Sequence, residues 1–356
     1  MRPGMDATPK SHRLSFSPAD RARGPVVAVV AEVGVNHDGD ADTAHRLIDA
    51  ARQAGADAVK FQYFRPERLL SRQAELAGYQ QGKAASQREL LDKLALPIGV
   101  IGEMAGHAHE SGLAVVVTPF SPADVAELAP LGLDAIKTAA PDAVNAPLLE
   151  ACASAGLPLL ISTGTCELDE LAPAAGLLRE HDVGGALLHC VSSYPTPMGQ
   201  AALGGIGALA DALNLPVGYS DHTPGLETGA LAVAAGACVI EKHLTHDRSA
   251  VGPDHAASLE PDQLANYIAN LRTAQAALGP RVKRLTELEK DVRRVSRQSV
   301  CVVRDLPAGH VLTAEDLTVK RPGTGIPAAE LGGVVGRRLA RGVEADCLLT
   351  ADDLAN

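Results

Sequence analysis

From residue 25 onward, short aliphatic runs alternate with alanine-rich stretches. Residues 26–31, 58–64, 114–120, 135–138, 157–163, 186–192, 217–223 and 238–245 each read as a strand. They are apolar at consecutive positions and not only at every second one, which is the pattern of strands covered on both faces. The stretches between them are long enough for helices. A glycine stands shortly before the next run at Gly55, Gly112, Gly156 and Gly236, where a left-handed residue would end a helix. Eight such units predict a (β/α)8 TIM barrel over residues 25–280, with a doubly wound open sheet as the alternative.

Each run also turns polar at its C-terminal end: Glu32, Lys60 and Gln62, Thr118, Lys137, Ser162, Ser192 and Tyr194, His222, His243. A packed core does not require this. Barrel active sites lie at that face, so the pattern predicts a catalytic barrel. The two histidines carry the most information, because 217–223 and 238–245 read as consecutive strands joined by a helix within 224–236. Neighbouring parallel strands lie roughly 4.8 Å apart, so two imidazoles at one rim can share a metal ion. Flanking Ser220, Asp221 and Lys242 are expected to make that rim polar. The plainer reading, in which each histidine caps a buried strand with a hydrogen bond, suits either one alone better than the pair.

Lys60 and Lys137 sit among aliphatic neighbours, where an ammonium needs an anion. That anion is either a phosphate or carboxylate ligand, with Ser162 and Ser220 completing the cradle, or an internal Asp or Glu. Glu32 is a general acid or base, a group that orients a sugar hydroxyl, or a partner for a histidine.

Composition narrows the setting. At 356 residues and 46% hydrophobic, the chain can bury one large core and a small second one. Without Trp and with 3% aromatics, that core is built from Ala, Val, Leu and Ile, which suits an α/β protein. A net charge of −11 argues against nucleic acid as a partner. The six cysteines are dispersed and read as buried free thiols in a reducing compartment. No run is long enough to span a membrane, and residues 1–24 lack the apolar core of a signal peptide, reading as a disordered tail of a cytoplasmic protein. Residues 259–278 predict the last barrel helix, 281–297 a charged linker, and 298–356 a small module. Within that module, Arg304, Thr313 and Asp316 are echoed 37 positions later by Arg341, Thr350 and Asp353. Lys320-Arg321-Pro322-Gly323 is a turn between the two copies.

The order of motifs Ala31-Glu32-Val33-Gly34-Val35-Asn36-His37, Lys60-Phe61-Gln62, Thr118-Pro119-Phe120-Ser121, Ser162-Thr163-Gly164, Tyr194-Pro195-Thr196-Pro197, Tyr219-Ser220-Asp221-His222-Thr223, Glu241-Lys242-His243-Leu244-Thr245 and Gly252-Pro253-Asp254-His255 resembles the sialic acid synthase family. The tail resembles that family's C-terminal antifreeze-like SAF domain. The resemblance implies condensation of phosphoenolpyruvate with an N-acylated hexosamine, N-acetylmannosamine or a related sugar, to give a nonulosonic acid and phosphate. It implies a divalent ion on His222 and His243, Mn2+ first, with Mg2+ or Co2+ as alternatives. It assigns Lys60, Lys137, Ser162 and Ser220 to phosphoenolpyruvate with Thr118 nearby, and Glu32, Gln62, Tyr194 and Asp254 to the sugar or a metal-bound water. Arg321 is expected to reach the partner's barrel in a domain-swapped homodimer. Three positions depart from the family pattern: Ala140 in place of a hydroxyl, Ser192 in place of Asn, and a shortened loop near Gly82. A Schiff-base aldolase using Lys137 or Lys60, and a catalytically silent sugar-binding protein, are the rival readings.

Overall fold

The computed structural model describes residues 27–75, 86–280 and 282–355. The N-terminal tail and the loop near Gly82 lie outside the described residues. The chain divides into two compact units at residue 281.

The first unit is a closed barrel of eight parallel strands in sequence order: β1 (Ala28–Gly34), β2 (Ala58–Tyr63), β3 (Ala114–Pro119), β4 (Ala135–Thr138), β5 (Leu159–Ser162), β6 (Gly185–Cys190), β7 (Val217–Asp221) and β8 (Val239–His243), the last pairing back with β1. Every expected run is a strand, and the open-sheet alternative is overturned by the β1–β8 pairing. The four glycines expected to end helices all have positive φ. The last barrel helix is Pro261–Leu278, with Pro261 at its first turn and Gly279 beyond its end.

Alternation along each strand separates two cores. Outward positions such as Val29, Val59, Val115, Leu159 and Ile240 pack under the helices. Inward positions at the lower end form a plug of mostly small residues, among them Val30, Ala58, Ala114, Ala135, Ala186 and Val239. Gly218 belongs to this plug by necessity, since a Cβ there would lie 2.3 Å from Val239 Cγ1 and 2.6 Å from Leu188 Cδ2. One or two inward steps further along the strands, the plug gives way to Glu32, Lys60, Thr118, Lys137, Ser162, Ser220 and Glu241, all buried.

The second unit carries an antiparallel pair, β9 (Ser299–Val302) with β10 (Leu317–Lys320), preceded by the helix Glu289–Ser296. Its sequence echo is an approximate twofold. Thr313 and Thr350 each open a capping box that closes on Asp316 and Asp353, and those carboxylates take Arg304 and Arg341 at 2.6 Å. Leu306 and Val343, equivalent positions of the two copies, exchange both backbone hydrogen bonds at 2.9 Å. All six cysteines are free, as expected, but only Cys152, Cys190 and Cys301 are buried; Cys166 and Cys238 are half-buried and Cys347 is exposed. No helix of the described residues is long and apolar enough to cross a membrane.

Candidate active site

All the residues singled out for the site, except Arg321, line one cavity of about 740 Å3 at the C-terminal end of the barrel. Arg321 belongs to the second unit, where it is exposed.

Register brings the chemistry to one level. Glu32 is the partner of Lys60 on one side and of His243 on the other. Ser220 pairs with Glu241 and Asp221 with Lys242, so the next residues, His222 and His243, end their strands side by side. A register shift between Glu32 and Gly34 breaks the β1–β2 ladder, and bulges of this kind re-aim side chains. Gly34 sits at φ +54°, and a Cβ there would lie 2.5 Å from Glu32 Oε1 and 3.3 Å from Gln62 Nε2. Glycine is thus required where the chain passes behind the carboxylate.

At the floor of the cavity lies a chain of alternating charge. Lys60 Nζ is 2.7 Å from Glu32 Oε2 and 4.0 Å from Glu241 Oε2, and Lys137 Nζ is 3.3 Å from Glu241 Oε1. Lys60 also donates to Thr118 Oγ1 at 3.2 Å, Gln62 Nε2 to Glu32 Oε1 at 3.1 Å, and Ser220 Oγ to Glu241 at 2.9 Å. Ser162 Oγ is fully buried beside the Cys190 thiol. Both lysines thus have internal carboxylates within ion-pair reach. Glu241 is the site residue that sequence reasoning missed. The signal for it was the inward i, i+2 spacing of Glu241 and His243, together with the need of two buried lysines for counter-ions.

Burial pushes the Glu32 carboxyl up to about 7, more than the neighbouring Lys60 ammonium pulls it down. Burial would also raise Glu241, but the ammonium groups of Lys137 and Lys60 outweigh it and hold that carboxyl below its usual range. Burial disfavours both ammonium forms. For Lys60 the carboxylates of Glu241 and Glu32 win and the pKa is raised; for Lys137 burial wins and it is lowered.

The histidines stand above this floor with ring centroids 5.5 Å apart, and Tyr194 lies against both, 4.1 Å from His222 and 5.8 Å from His243. Burial lowers His222 to about 4 and His243 well below its usual value, so both rings are neutral at pH 7. His222 Nδ1 donates to Val191 O at 2.8 Å, which leaves the Nε2 lone pair unprotonated. His243 Nδ1 is buried without a hydrogen bond and faces Asp254 Oδ2 at 3.7 Å. A neutral imidazole pair, one ring oriented through its other nitrogen, can ligate a first-row divalent ion, a borderline one such as Co2+ by preference and the harder Mn2+ with oxygen ligands completing the shell. Among the described residues no group of three His, Cys, Asp or Glu has ligand spacing, so water or substrate would complete the shell.

Asp221 and Lys242 correct the expectation of a polar rim. They alternate with the inward Ser220, His222, Glu241 and His243, so they point to the helix layer, fully buried and paired at 3.3 Å. Ala140 and Ser192, two of the departures, do line the cavity. Its opposite wall is apolar and includes Val35, Leu69, Leu90 and Leu94, with Phe64 and Phe120 edge to face at 5.8 Å.

Residues 47–283 match the NeuB family and residues 297–355 the SAF domain. The chain belongs to the NeuB family. It is 39% identical over 329 residues to the N,N'-diacetyllegionaminic acid synthase of Legionella pneumophila, covering 90% of this chain and 92% of that one. It is 36% identical to the synthase of the same name from Campylobacter jejuni, covering 90% and 98%. Among solved structures, the putative spore coat polysaccharide biosynthesis protein E of Chromobacterium violaceum superposes with a TM-score of 0.80 at 26% identity, covering 93% of this chain and 100% of that one. This NeuB-family chain therefore joins an eight-stranded barrel to a SAF domain, and several of its relatives are named as synthases of nonulosonic acids.

Proposed function

We propose that this chain condenses phosphoenolpyruvate with an open-chain, unphosphorylated, N-acylated hexose of the 2,4-diacetamido-trideoxy type, releasing a nonulosonic acid and phosphate. The observation that carries the reading is the stack of two buried lysines beneath two neutral, level imidazoles. Lys60 and Lys137, with the Ser162 and Ser220 hydroxyls, bind the phosphoenolpyruvate anion, which draws them away from Glu32 and Glu241. C3 of phosphoenolpyruvate attacks the sugar aldehyde; water then adds at C2, and the tetrahedral adduct loses phosphate by C–O cleavage. His222 and His243 would hold a divalent ion, Mn2+ first, which supplies Lewis-acid polarisation of the aldehyde when bound. Glu32, with a carboxyl that titrates near neutrality, accepts and returns the proton moved in these steps. Gln62, Tyr194 and Asp254 contact the acceptor, while Thr118 keeps Lys60 aimed.

One observation supports the acceptor class: the wall of Phe64, Phe120, Leu90 and Leu94 suits acyl and deoxy methyl groups. The names of the two synthases given above agree with this. The enzyme works in the cytoplasm as a homodimer in which Arg321 of the SAF domain completes the partner's barrel. The aldolase reading has one observation on its side, the burial that lowers Lys137, against which Glu241 at 3.3 Å favours the charged form. The test is phosphate release from phosphoenolpyruvate with Mn2+ against a panel of sugars, with the product identified by mass spectrometry. The 2,4-diacetamido-trideoxyhexose is expected to outrun N-acetylmannosamine and its 6-phosphate, and equal or faster use of the phosphate would overturn the acceptor assignment.

A further inference from the structure

Asp254 lies on the irregular segment between β8 and the last barrel helix, and the next residue turns the opposite way. His255 is fully buried, and both ring nitrogens are engaged: Nε2 lies 3.0 Å from Asp38 Oδ1 and Nδ1 2.7 Å from Thr245 Oγ1. A carboxylate can only accept, so Nε2 donates to Asp38, while the Thr245 hydroxyl lies between Nδ1 and the Asp247 carbonyl, to which it donates at 3.1 Å. That hydroxyl in turn accepts from the Asp247 backbone N–H at 3.1 Å. Thr245 thus ties the His255 ring to both backbone groups of Asp247, and the ring in turn reaches Asp38. The ring also wedges beneath its own loop, because a Cβ at Gly252 would meet His255 Cδ2 at 2.5 Å.

A second anchor comes from the same segment that supplies Asp38. Asn36 Nδ2 donates to Ser258 Oγ at 2.8 Å and to Leu244 O at 2.9 Å, and Ser258 Oγ donates to the Asp254 carbonyl at 2.7 Å. Asn36 and Asp38, both just beyond β1, thus hold the two sides of Asp254. Asp38 reaches His255 from a left-handed backbone, φ 56°, which Asp and Asn tolerate better than most residues. Its carboxylate is partly exposed, with His246 Nε2 at 3.8 Å from the other oxygen. An exposed partner contributes little to burial, so this arrangement serves placement more than folding.

We infer that His255, braced between Asp38 and Thr245, is a positioning residue that holds Asp254 against His243 and thereby sets the affinity for the acceptor sugar. The inference rests on the reading of Asp254 as an acceptor contact. The brace acts on one side of the cavity only, since Lys60, Lys137 and Ser162 come from other strands. Its loss therefore leaves phosphoenolpyruvate binding alone.

The test uses three variants of the full chain. Asp38→Gly keeps the left-handed backbone and removes the acceptor; Thr245→Val keeps the shape and removes the hydroxyl; Asp38→Asn retains an acceptor oxygen. Hydrogen–deuterium exchange, which needs no substrate, should show faster exchange of residues 246–257 in Asp38→Gly and Thr245→Val with β7 and β8 unchanged, and near-normal protection in Asp38→Asn. Steady-state kinetics should show the Michaelis constant for the acceptor raised about tenfold in the first two, the equivalent of one lost hydrogen bond to a charged group, with that for phosphoenolpyruvate within about twofold. Unchanged exchange in both deletion variants overturns the brace, whatever the enzyme turns over. Faster exchange with both Michaelis constants moving together overturns the link to the acceptor. A wild type that releases no phosphate with any sugar sinks the functional reading separately, and the exchange data still decide whether the brace exists.

Discussion

Asp221 and Lys242 are direct partners across β7 and β8, joined by a fully buried ion pair of 3.3 Å, and each immediately precedes an inward-facing histidine. The pair lies in the helix layer. Asp221 also accepts from the Thr223 backbone N–H and hydroxyl at 2.8 Å, from Thr228 at 2.6 Å and from Tyr267 on the last helix at 2.7 Å, while Lys242 donates to Thr223 O and stands 5.3 Å from the Tyr267 ring centroid. A slip of one residue between these strands would turn one histidine outward and separate two buried charges, so the pair fixes the register that makes the imidazoles level.

The Lys242→Met variant should therefore lose about 3–5 kcal/mol of stability, because it leaves a buried carboxylate without its cation. Urea unfolding monitored by circular dichroism measures this. A loss under about 1 kcal/mol would show that the hydroxyl donors suffice for the Asp221 charge.

Much of this arrangement was legible in the chain. Eight apolar runs with polar ends gave the barrel and the face that carries the site, because strands buried on both sides leave little ambiguity of period. The inward direction of individual residues was harder to read. In a run such as Val239-Ile240-Glu241-Lys242-His243, which faces are buried does not say which charges face the axis. Anchoring on His243 as inward puts Glu241 inside and Lys242 outside. Reading Lys242 as a rim residue misassigned it, and Glu241 was given no role. Counter-ion choice was likewise open, since a buried lysine can meet a carboxylate of the neighbouring strand, as Lys60 meets Glu32, or one from across the barrel, as Lys137 meets Glu241, and the sequence does not say which.

Chelation should abolish turnover, and added Mn2+ should restore it. Calorimetric titration of the chelator-treated protein with Mn2+ gives an independent measure. His222→Ala and His243→Ala are each expected to remove the binding isotherm, because two ligands cannot be reduced to one without losing the site. Full activity of the double variant in the absence of metal would refute the assignment.

Replacing Lys60 or Lys137 with Met should raise the Michaelis constant for phosphoenolpyruvate and slow turnover, each by tenfold or more given about 1.5–3 kcal/mol per charged hydrogen bond. Borohydride in the presence of pyruvate should leave both lysines unmodified. A pyruvyl adduct on Lys137 by peptide mass mapping would favour the aldolase instead.

Two buried groups act on acid stability with opposite signs. His222 has a folded pKa of about 4, below its ordinary 6.5, so its contribution is present above pH 6.5 and is lost as pH falls toward 4. Glu32 is raised from 4.5 to about 7, so its contribution is present below pH 4.5 and is lost as pH rises toward 7. The two offset between roughly pH 4.5 and 6.5, each by up to about 3 kcal/mol. His243 and His37, likewise lowered by burial, act with the sign of His222, so in metal-free protein the unfolding free energy should fall on acidification across that window, and it should fall more steeply in Glu32→Gln, which lacks the opposing contribution. Equal slopes for the two proteins would mean that Glu32 titrates normally in the folded state.

Arg321 stands in the turn Lys320-Arg321-Pro322-Gly323, whose Gly323 N–H donates to Arg294 O at 2.8 Å and whose Lys320 pairs with Asp346, so the turn is held while its arginine is exposed. A guanidinium there can donate to an acyl carbonyl or carboxylate, and losing it should weaken the acceptor far more than phosphoenolpyruvate. Mixing two inactive variants tests whether it serves the neighbouring chain. One carries Arg321→Ala and the other His243→Ala. In a dimer that exchanges SAF domains, the barrel with intact His243 receives the intact Arg321 of its partner, and the other barrel carries both lesions. Subunit exchange should then restore one working site per mixed dimer. Since random mixing makes half the dimers mixed, the recovered activity should approach about a quarter of the wild-type value. Exchange verified by native mass spectrometry without any recovery would show that each arginine serves its own barrel, or none.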